Sequence, residues 1–392
     1  MTPNRSTDTD GPQLIPVSPP PAATDTQLPD HRVRVGSPTS ILAVVPPILG
    51  FEPGHSLVVL GAGEPRGRVC VTLRFDLPDP CDPRLAAAIA ENAVAVLSAQ
   101  RLTTAVAVGY GSDEAVSPVI TALRERASRA EITLTELLRA ENQRYWSYVC
   151  TEPACCPAEG TPFDSTGHPA ARAMALGGRQ VLASREELRD SLAAADAATA
   201  EAMRRAVSHA EEQIAECVAR VTRAGHRITE RRVVAAVGRL AVAEAIARYR
   251  AGKTADIALA AWLTVALREV RVRDDAWARM LPAHGDAHRR LWTDLTRLAR
   301  PGYVSAPASL LAFVAWQSGD GALGNIALDR ALADNPYYSM ARLLREALDS
   351  GAPPSLARLP MTPEEVAAAY DTADTDDEDA PGAVPAGEAR RM

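Results

Sequence analysis

The sequence predicts an α/β domain, a mixed sheet with flanking helices, followed by a mostly α-helical C-terminal domain. Three observations carry this. From about residue 37 to 168, short runs of β-branched and aromatic residues alternate with alanine-rich amphipathic stretches. From about Pro169 onward the strand signal fades and helical periodicity takes over. Near the end, Leu311-Ala312, Ala315, Gly319-Asp320, Gly324, Leu328, Ala331 and Pro336 fall at the spacings of one tetratricopeptide (TPR-like) helical hairpin, with small residues where two helices must approach. Only one such unit is legible, whereas a working array needs about three, so it reads as a helix pair closing the domain.

The order of elements follows from local signals. Residues 1–36 are rich in Pro, Thr, Asp and Ser and have little to bury, which predicts a disordered tail. Ser37-Pro38-Thr39-Ser40 opens a helix that Pro46 and Pro47 are expected to stop. Ser56–Leu60 and Arg68–Phe75 are expected to pair as antiparallel strands across a loop containing Gly61, Gly63 and Gly67. Asp82 precedes a helix to about Gln100, with Leu85, Ile89, Val96 and Leu97 as its apolar stripe. Thr104–Val108 is a third strand, and Ser112 or Asp113 caps a helix to about Arg129. Ile132–Leu138 and the Trp146 segment complete a β-β-α-β-α-β-β order. Ser184 with Glu187 forms a capping box. Helices are then expected over 197–224, 229–250, 254–272, 274–281 and 286–300, within a helical domain spanning 169–370. The acidic stretch 371–392 is expected to be a disordered tail.

Composition narrows the address. The chain has 392 residues and a net charge of -7. From Asp371 onward seven acids and two arginines supply -5 of that. Lys253 is the only lysine, and no basic run or aromatic-basic stripe suggests nucleic-acid binding. Neither a signal peptide nor an apolar run of membrane-spanning length is visible, so no membrane partner is expected. Six cysteines in a chain of this length read as reduced thiols of a cytoplasmic protein.

The stretch Arg144–Gly160 concentrates the unusual residues. Tyr145–Val149 reads as a strand, and the turn-prone Thr151–Ala154, with Pro153, should send the chain back. That makes Cys150 and Cys155 near cross-strand neighbours, with Cys156 pointing the other way.

Several local patterns together resemble one known group: Pro47-Ile48-Leu49-Gly50-Phe51-Glu52-Pro53 with Ser56-Leu57-Val58-Val59; Arg74-Phe75-Asp76-Leu77-Pro78; Trp146-Ser147-Tyr148-Val149-Cys150 with Cys155-Cys156-Pro157-Ala158-Glu159-Gly160; and Leu311–Trp316 with Gly319-Asp320-Gly321-Ala322. They resemble the actinobacterial domain of unknown function 4192 family. The resemblance covers nearly all of the chain between its tails. It implies a bacterial intracellular protein and carries no activity, substrate or cofactor.

Candidate sites are few. Cys150, Cys155 and Cys156, with His168 as a fourth donor, could hold zinc, although zinc sites more often take cysteines in pairs from two knuckles. A packing role or a Cys150–Cys155 redox couple are the other readings, and no cofactor is otherwise expected. Arg74 and Asp76 lie two apart at a strand end, on one face, and could bind a ligand there; an ion pair is the plainer reading. Gly109-Tyr110-Gly111 lacks the third glycine of a dinucleotide loop, with Glu114 in its place. His284 and His288 have metalloprotease-like spacing but lack the intervening glutamate. The tryptophans at 262, 277, 292 and 316 read as core. With no complete catalytic set, the chain is expected to be a non-enzymatic binding or scaffold protein. Such a protein would use the cleft between its two parts, or a protein partner on the helical domain. The alternatives are an enzyme combining Arg74 and Asp76 with Trp146, Ser147 and the cysteines, and a thiol or zinc sensor.

Overall fold

The structure is a computed structural model describing residues 36–63, 68–176, 181–224, 229–356 and 361–378. The tail expected over 1–36 lies outside these residues except for Gly36, as do Gly67 and the end of the acidic stretch beyond Glu378.

Helix α1 (Pro38–Leu49) begins where expected: the Ser37 side chain accepts from the Ser40 N–H, and Ser40 Oγ accepts from the Ser37 N–H in return. It does not stop at the prolines. The helix runs through Pro46 and Pro47 and ends at Gly50, whose φ of 79° lets its N–H reach the Pro46 carbonyl. An internal proline costs ~3 kcal/mol or more. Burial of Leu42, Val45 and Leu49 beside the prolines, at ~1.5–3 kcal/mol per side chain, offsets it.

Strands β1 (Ser56–Gly63) and β2 (Arg68–Asp76) pair antiparallel, as expected, but β1 is longer than its apolar run and takes in Gly61 and Gly63. A Cβ on Gly61 would meet Leu97 and Leu102 at 2.5 and 2.7 Å, so close packing of α2 (Pro83–Ala99) on the sheet explains that glycine better than a loop does. Helix α2 is capped by Asp82. Its buried stripe is Ala86, Ile89, Ala90, Ala93, Val96 and Leu97; Leu85, expected inside, is 41% exposed because Ala86 takes the inward position.

Strand β3 (Thr104–Tyr110), helix α3 (Asp113–Arg129, capped by Ser112), β4 (Thr133–Glu141), β5 (Arg144–Ser147) and the short β6 (Thr161–Pro162) complete the sheet. Its order is β2-β1-β3-β4-β5-β6, with β3 and β4 parallel and the other neighbours antiparallel. Alternation sorts the faces. Leu57, Val59, Ala107 and Leu137 face α2 and α3. Val58, Leu60, Val108, Tyr110, Leu138, Ala140 and Tyr145 join an apolar cluster that continues through α1 into the helices that follow.

Those helices are α4 (Pro169–Leu176), α5 (Arg185–Asp190), α6 (Ala197–Arg223), α7 (Glu230–Arg250), α8 (Ile257–Ala266), α9 (Val270–Ala278), α10 (Gly285–Leu298), α11 (Ser305–Gln317), α12 (Gly321–Asp334), α13 (Ser339–Asp349) and α14 (Pro363–Glu378). The stretch expected as one helix over 254–272 is divided between α8 and α9. Helix α14 reaches into the acidic run expected as tail. Helices α11 and α12 pack closely at Gly324, where a Cβ would lie 3.5 Å from the Ala312 carbonyl oxygen and 3.1 Å from Leu348. Among the described residues no helix is long and apolar enough to cross a membrane.

Trp292 is fully buried, with the His288 ring stacked beside it at 6.5 Å; His288 is 1% exposed. His284 ends a 3-10 turn before α10, outside the helix carrying His288. Burial is the main cause that lowers the His288 pKa, to about 4, so the folded chain holds this imidazole neutral. Between pH 6.5 and 4 the unfolded chain therefore binds the extra proton, and stability falls as pH falls. The shift corresponds to roughly 3 kcal/mol across that window. Urea unfolding of wild type and His288→Gln at pH 7 and pH 4.5 tests this. The wild type should lose most of that increment relative to the variant, and parallel losses would contradict it.

Candidate functional site

The two clusters suggested by the sequence do not converge. Arg74 pairs in register with Val58, Val58 with Val108, Val108 with Leu138, and Leu138 with Ser147. Arg74 and Ser147 thus lie in one row but four strand spacings apart, about 19 Å at ~4.8 Å per spacing. Trp146 belongs to the neighbouring row through Arg139, Gly109, Leu57 and Phe75, and faces the opposite side of the sheet. A site combining Arg74 and Asp76 with Trp146 is therefore ruled out by register. Arg74 instead bonds Asp76 at 2.8 Å and lies over the Phe51 ring at 5.5 Å.

Trp146 has a different task. The Arg139 guanidinium sits 3.7 Å from its ring centroid, and Arg139 also reaches Glu141 at 2.8 Å and Asp113 at 3.7 Å. The indole N–H donates to the Ala158 carbonyl. Gly160, with φ of 79°, tucks beneath the ring; a Cβ there would come within 2.6 Å of it. This fastens the return of the cysteine loop.

The loop is not the strand hairpin expected. Strand β5 ends at Ser147, whose Oγ accepts from the Val149 and Cys150 N–H groups, and its partners are β4 and β6. The turn comes at Glu152, whose carbonyl accepts from both Cys155 and Cys156 N–H. Consecutive residues of such a turn need not point apart as they would on a strand. The Cys150, Cys155 and Cys156 sulfurs all lie within 4.8 Å of one another, and all three thiols are free. Cys156 joins the group rather than turning away. Donation from the Cys156 thiol, then from the Glu152 N–H, lowers the Cys150 pKa, while the same contact pushes Cys156 up to about 12. His168 lies outside the group; its Nδ1 accepts from the Ala170 N–H at the start of α4.

A second site was not legible in the sequence. A cavity of about 660 Å³ opens where β3 and β4 end, between the sheet and α1. Leu42, Pro46, Tyr110, Ala140 and Phe163 line its apolar part; Glu52, His55, Glu141, Asn142, Gln143 and Asp164 bring polar groups. Glu52 is held there because its N–H donates to the Leu182 carbonyl while the Leu182 N–H donates to Gly50. The Tyr110 hydroxyl is buried without a hydrogen-bond partner, and so is Ser56 Oγ on the directly paired residue of β1. Burial first, then the nearby Glu52 charge, raises the Tyr110 pKa far above the ordinary phenol value, so it stays a neutral hydroxyl. Partial burial also raises Glu52. Asp164 goes the other way: N–H donation from Gly167 and the Thr166 hydroxyl lower it.

Among the described residues, three of the five non-glycine residues with positive φ, namely His55, Asn142 and Gln143, line this cavity. Asn142 and Gln143 are the two-residue turn joining β4 to β5, which needs positive φ at both positions. Gly109 does not serve a phosphate: its absent Cβ would strike Val116 of α3 at 2.2 Å, so it admits the helix to the sheet.

Fold and site together define a mixed α/β sheet protein with a helical extension, a cavity at the strand ends and a three-thiol loop. The family profile described as "Domain of unknown function (DUF4192)" matches residues 38–355, and the chain belongs to that family. No characterised protein and no solved structure matches the chain.

The seating of Trp146 is testable through its glycine. Gly160→Ala should destabilise by about 2–4 kcal/mol, combining left-handed backbone strain with the ring clash. Gly252→Ala, with φ of 75° but open space where its Cβ would go, should cost only about 1–2 kcal/mol. Equal urea midpoints for the two variants would show that the ring does not occupy that seat.

Proposed function

We propose that the chain is a binding protein whose cavity at the ends of β3 and β4 takes a small, donor-rich, neutral-to-cationic ligand. The observation that carries this is Tyr110, a residue of the cavity lining whose buried hydroxyl has no hydrogen-bond partner. A buried polar group without a partner costs roughly 1–3 kcal/mol, which a ligand group bonding to it would recover. The position fits, since open α/β sheets bind ligands beyond the carboxyl ends of their parallel strands. The charge of the ligand follows from the lining: Glu52 and Asp164 are acidic, Glu141 is already paired with Arg139, and among the described residues neither arginine nor lysine lines the cavity. Phosphates and nucleotides are disfavoured there. Free thiols suit a reducing compartment, which supports a cytoplasmic address.

A scaffold role for the helical part has less support. Val237 and Leu240, 39% and 73% exposed and one turn apart on α7, are an apolar pair far smaller than a standard interface of ~800 Å² per partner.

Thermal-shift titration with putrescine, agmatine and glucosamine, beside ATP and inorganic phosphate, tests the reading. An amine should raise the melting temperature while the anions do not. Tyr110→Phe, which removes only the hydroxyl, and Glu52→Gln should each weaken that binding about tenfold, on the order of 1.4 kcal/mol. Absence of any amine effect, or amine binding untouched by both substitutions, would defeat the proposal.

A further inference from the structure

We propose that Cys150, Cys155 and Cys156 form a three-thiolate site for a single zinc ion, with the fourth coordination position open to solvent or to an external donor. The site lies apart from the cavity and does not depend on the ligand reading.

Distance is the first argument. Three sulfurs within 4.8 Å of one another already stand close to the corners of a coordination tetrahedron. An ion at the centre of an equilateral triangle of that size would sit roughly 2.8 Å from each sulfur, and a closure of about half an ångström reaches the Zn–S distance of ~2.3 Å. A disulfide would engage two of the three thiols and leave the third without a task, whereas one ion engages all of them.

The backbone supplies the second argument, because the loop is held in place independently of any ion. Ser147 Oγ fixes the Cys150 end by accepting from its N–H at 3.0 Å. Glu152 draws Cys155 and Cys156 round a single carbonyl, at 3.0 and 2.8 Å. Pro153 and Pro157 restrict the backbone on either side, and the return strand is pinned by Trp146 Nε1 on Ala158 and by Arg144 Nη1 on the Gly160 carbonyl, both at 2.9 Å. Donors held in place before binding lose little conformational freedom when the ion arrives.

Chemistry selects the ion. An all-thiolate set favours soft or borderline cations, and a closed tetrahedral preference without redox chemistry fits zinc; hard oxygen-seeking cations are disfavoured. Cys155 is exposed and Cys150 and Cys156 are only partly covered, so solvent or an external donor can reach the group. Three protein ligands with an open position are the arrangement of exchangeable or reactive zinc rather than of a sealed structural site.

The test uses the full chain, purified under reductant and stripped with a chelator. Cobalt(II) titration should give one equivalent of tetrahedral ligand-field bands with a near-ultraviolet thiolate charge-transfer band, and zinc should displace them. Bound zinc should protect Cys150, Cys155 and Cys156 from alkylation, read residue by residue by peptide mass spectrometry, and leave the exposure of Cys217 unchanged. Cys150→Ser, Cys155→Ser and Cys156→Ser should each lower zinc affinity at least about tenfold, while Cys217→Ser should not. The protection pattern is read on the wild type, so a variant that fails to fold does not remove the test. Absence of cobalt bands in a chain whose three thiols all react freely overturns the site. So does a Cys150–Cys155 disulfide in protein alkylated at harvest, or zinc protection confined to other cysteines.

Discussion

The Arg139 side chain, stacked 3.7 Å from the Trp146 ring centroid, is the contact from which both candidate sites are hung. Arg139 is only 9% exposed, and a guanidinium so far from water is tolerable only with compensation. Glu141 and Asp113 supply charge, the Gly111 carbonyl lies at the edge of reach, and the indole face adds a cation–π contact worth ~2 kcal/mol when desolvated. Asp113 comes from the first turn of α3, Glu141 from the end of β4, Trp146 from β5. One buried cation thus ties a helix start to a hairpin. Removing it would leave those carboxylates and the indole without their common partner.

The hairpin transmits that order in two directions. Register between β4 and β5 is fixed by the Asn142-Gln143 turn, and a slip of one residue would carry Trp146 to the opposite face. At the turn itself, Asn142 and Gln143 form part of the cavity rim. Beyond β5, Ser147 and Trp146 hold the two ends of the cysteine loop. The cavity and the thiol group share no side chain, yet neither could form with a different register in this one pair of strands.

Much of the fold was legible because its signals are local. Caps at Ser37, Asp82, Ser112 and Ser184 mark helix starts, and β-branched runs mark β1 to β4. Misreadings arose where tertiary packing overrode a local rule. The prolines of α1 are carried by burial, Leu85 yields its inward place to Ala86, and Gly61 and Gly63 are strand residues thinned to admit neighbouring side chains. Cys156 joins the other two sulfurs because the chain leaves strand alternation after Ser147 and turns at Glu152. For the cavity no such rule exists. Its lining comes from α1 and the segment after it, from the ends of β3 and β4, and from residues 163–166, and nothing in the sequence joins these pieces. Only Asn142, a residue that tolerates positive φ between two strand patterns, could have flagged its rim.

Tyr145 shows how closely the two regions are joined. It is buried on the face toward α1 and the helices, and its ring meets Phe163 edge-on at 6.2 Å. Phe163 lines the cavity. Burial leads the rise in the Tyr145 pKa, and a hydrogen bond with Thr161 opposes it. The short pairing of β5 with β6 sets Tyr145 against Thr161, so the strand that closes the cysteine loop leads directly to the aromatic wall of the cavity. Alternate residues of one strand serve the two regions separately: Trp146 locks the loop from one face, while Tyr145 on the other backs Phe163 of the cavity lining.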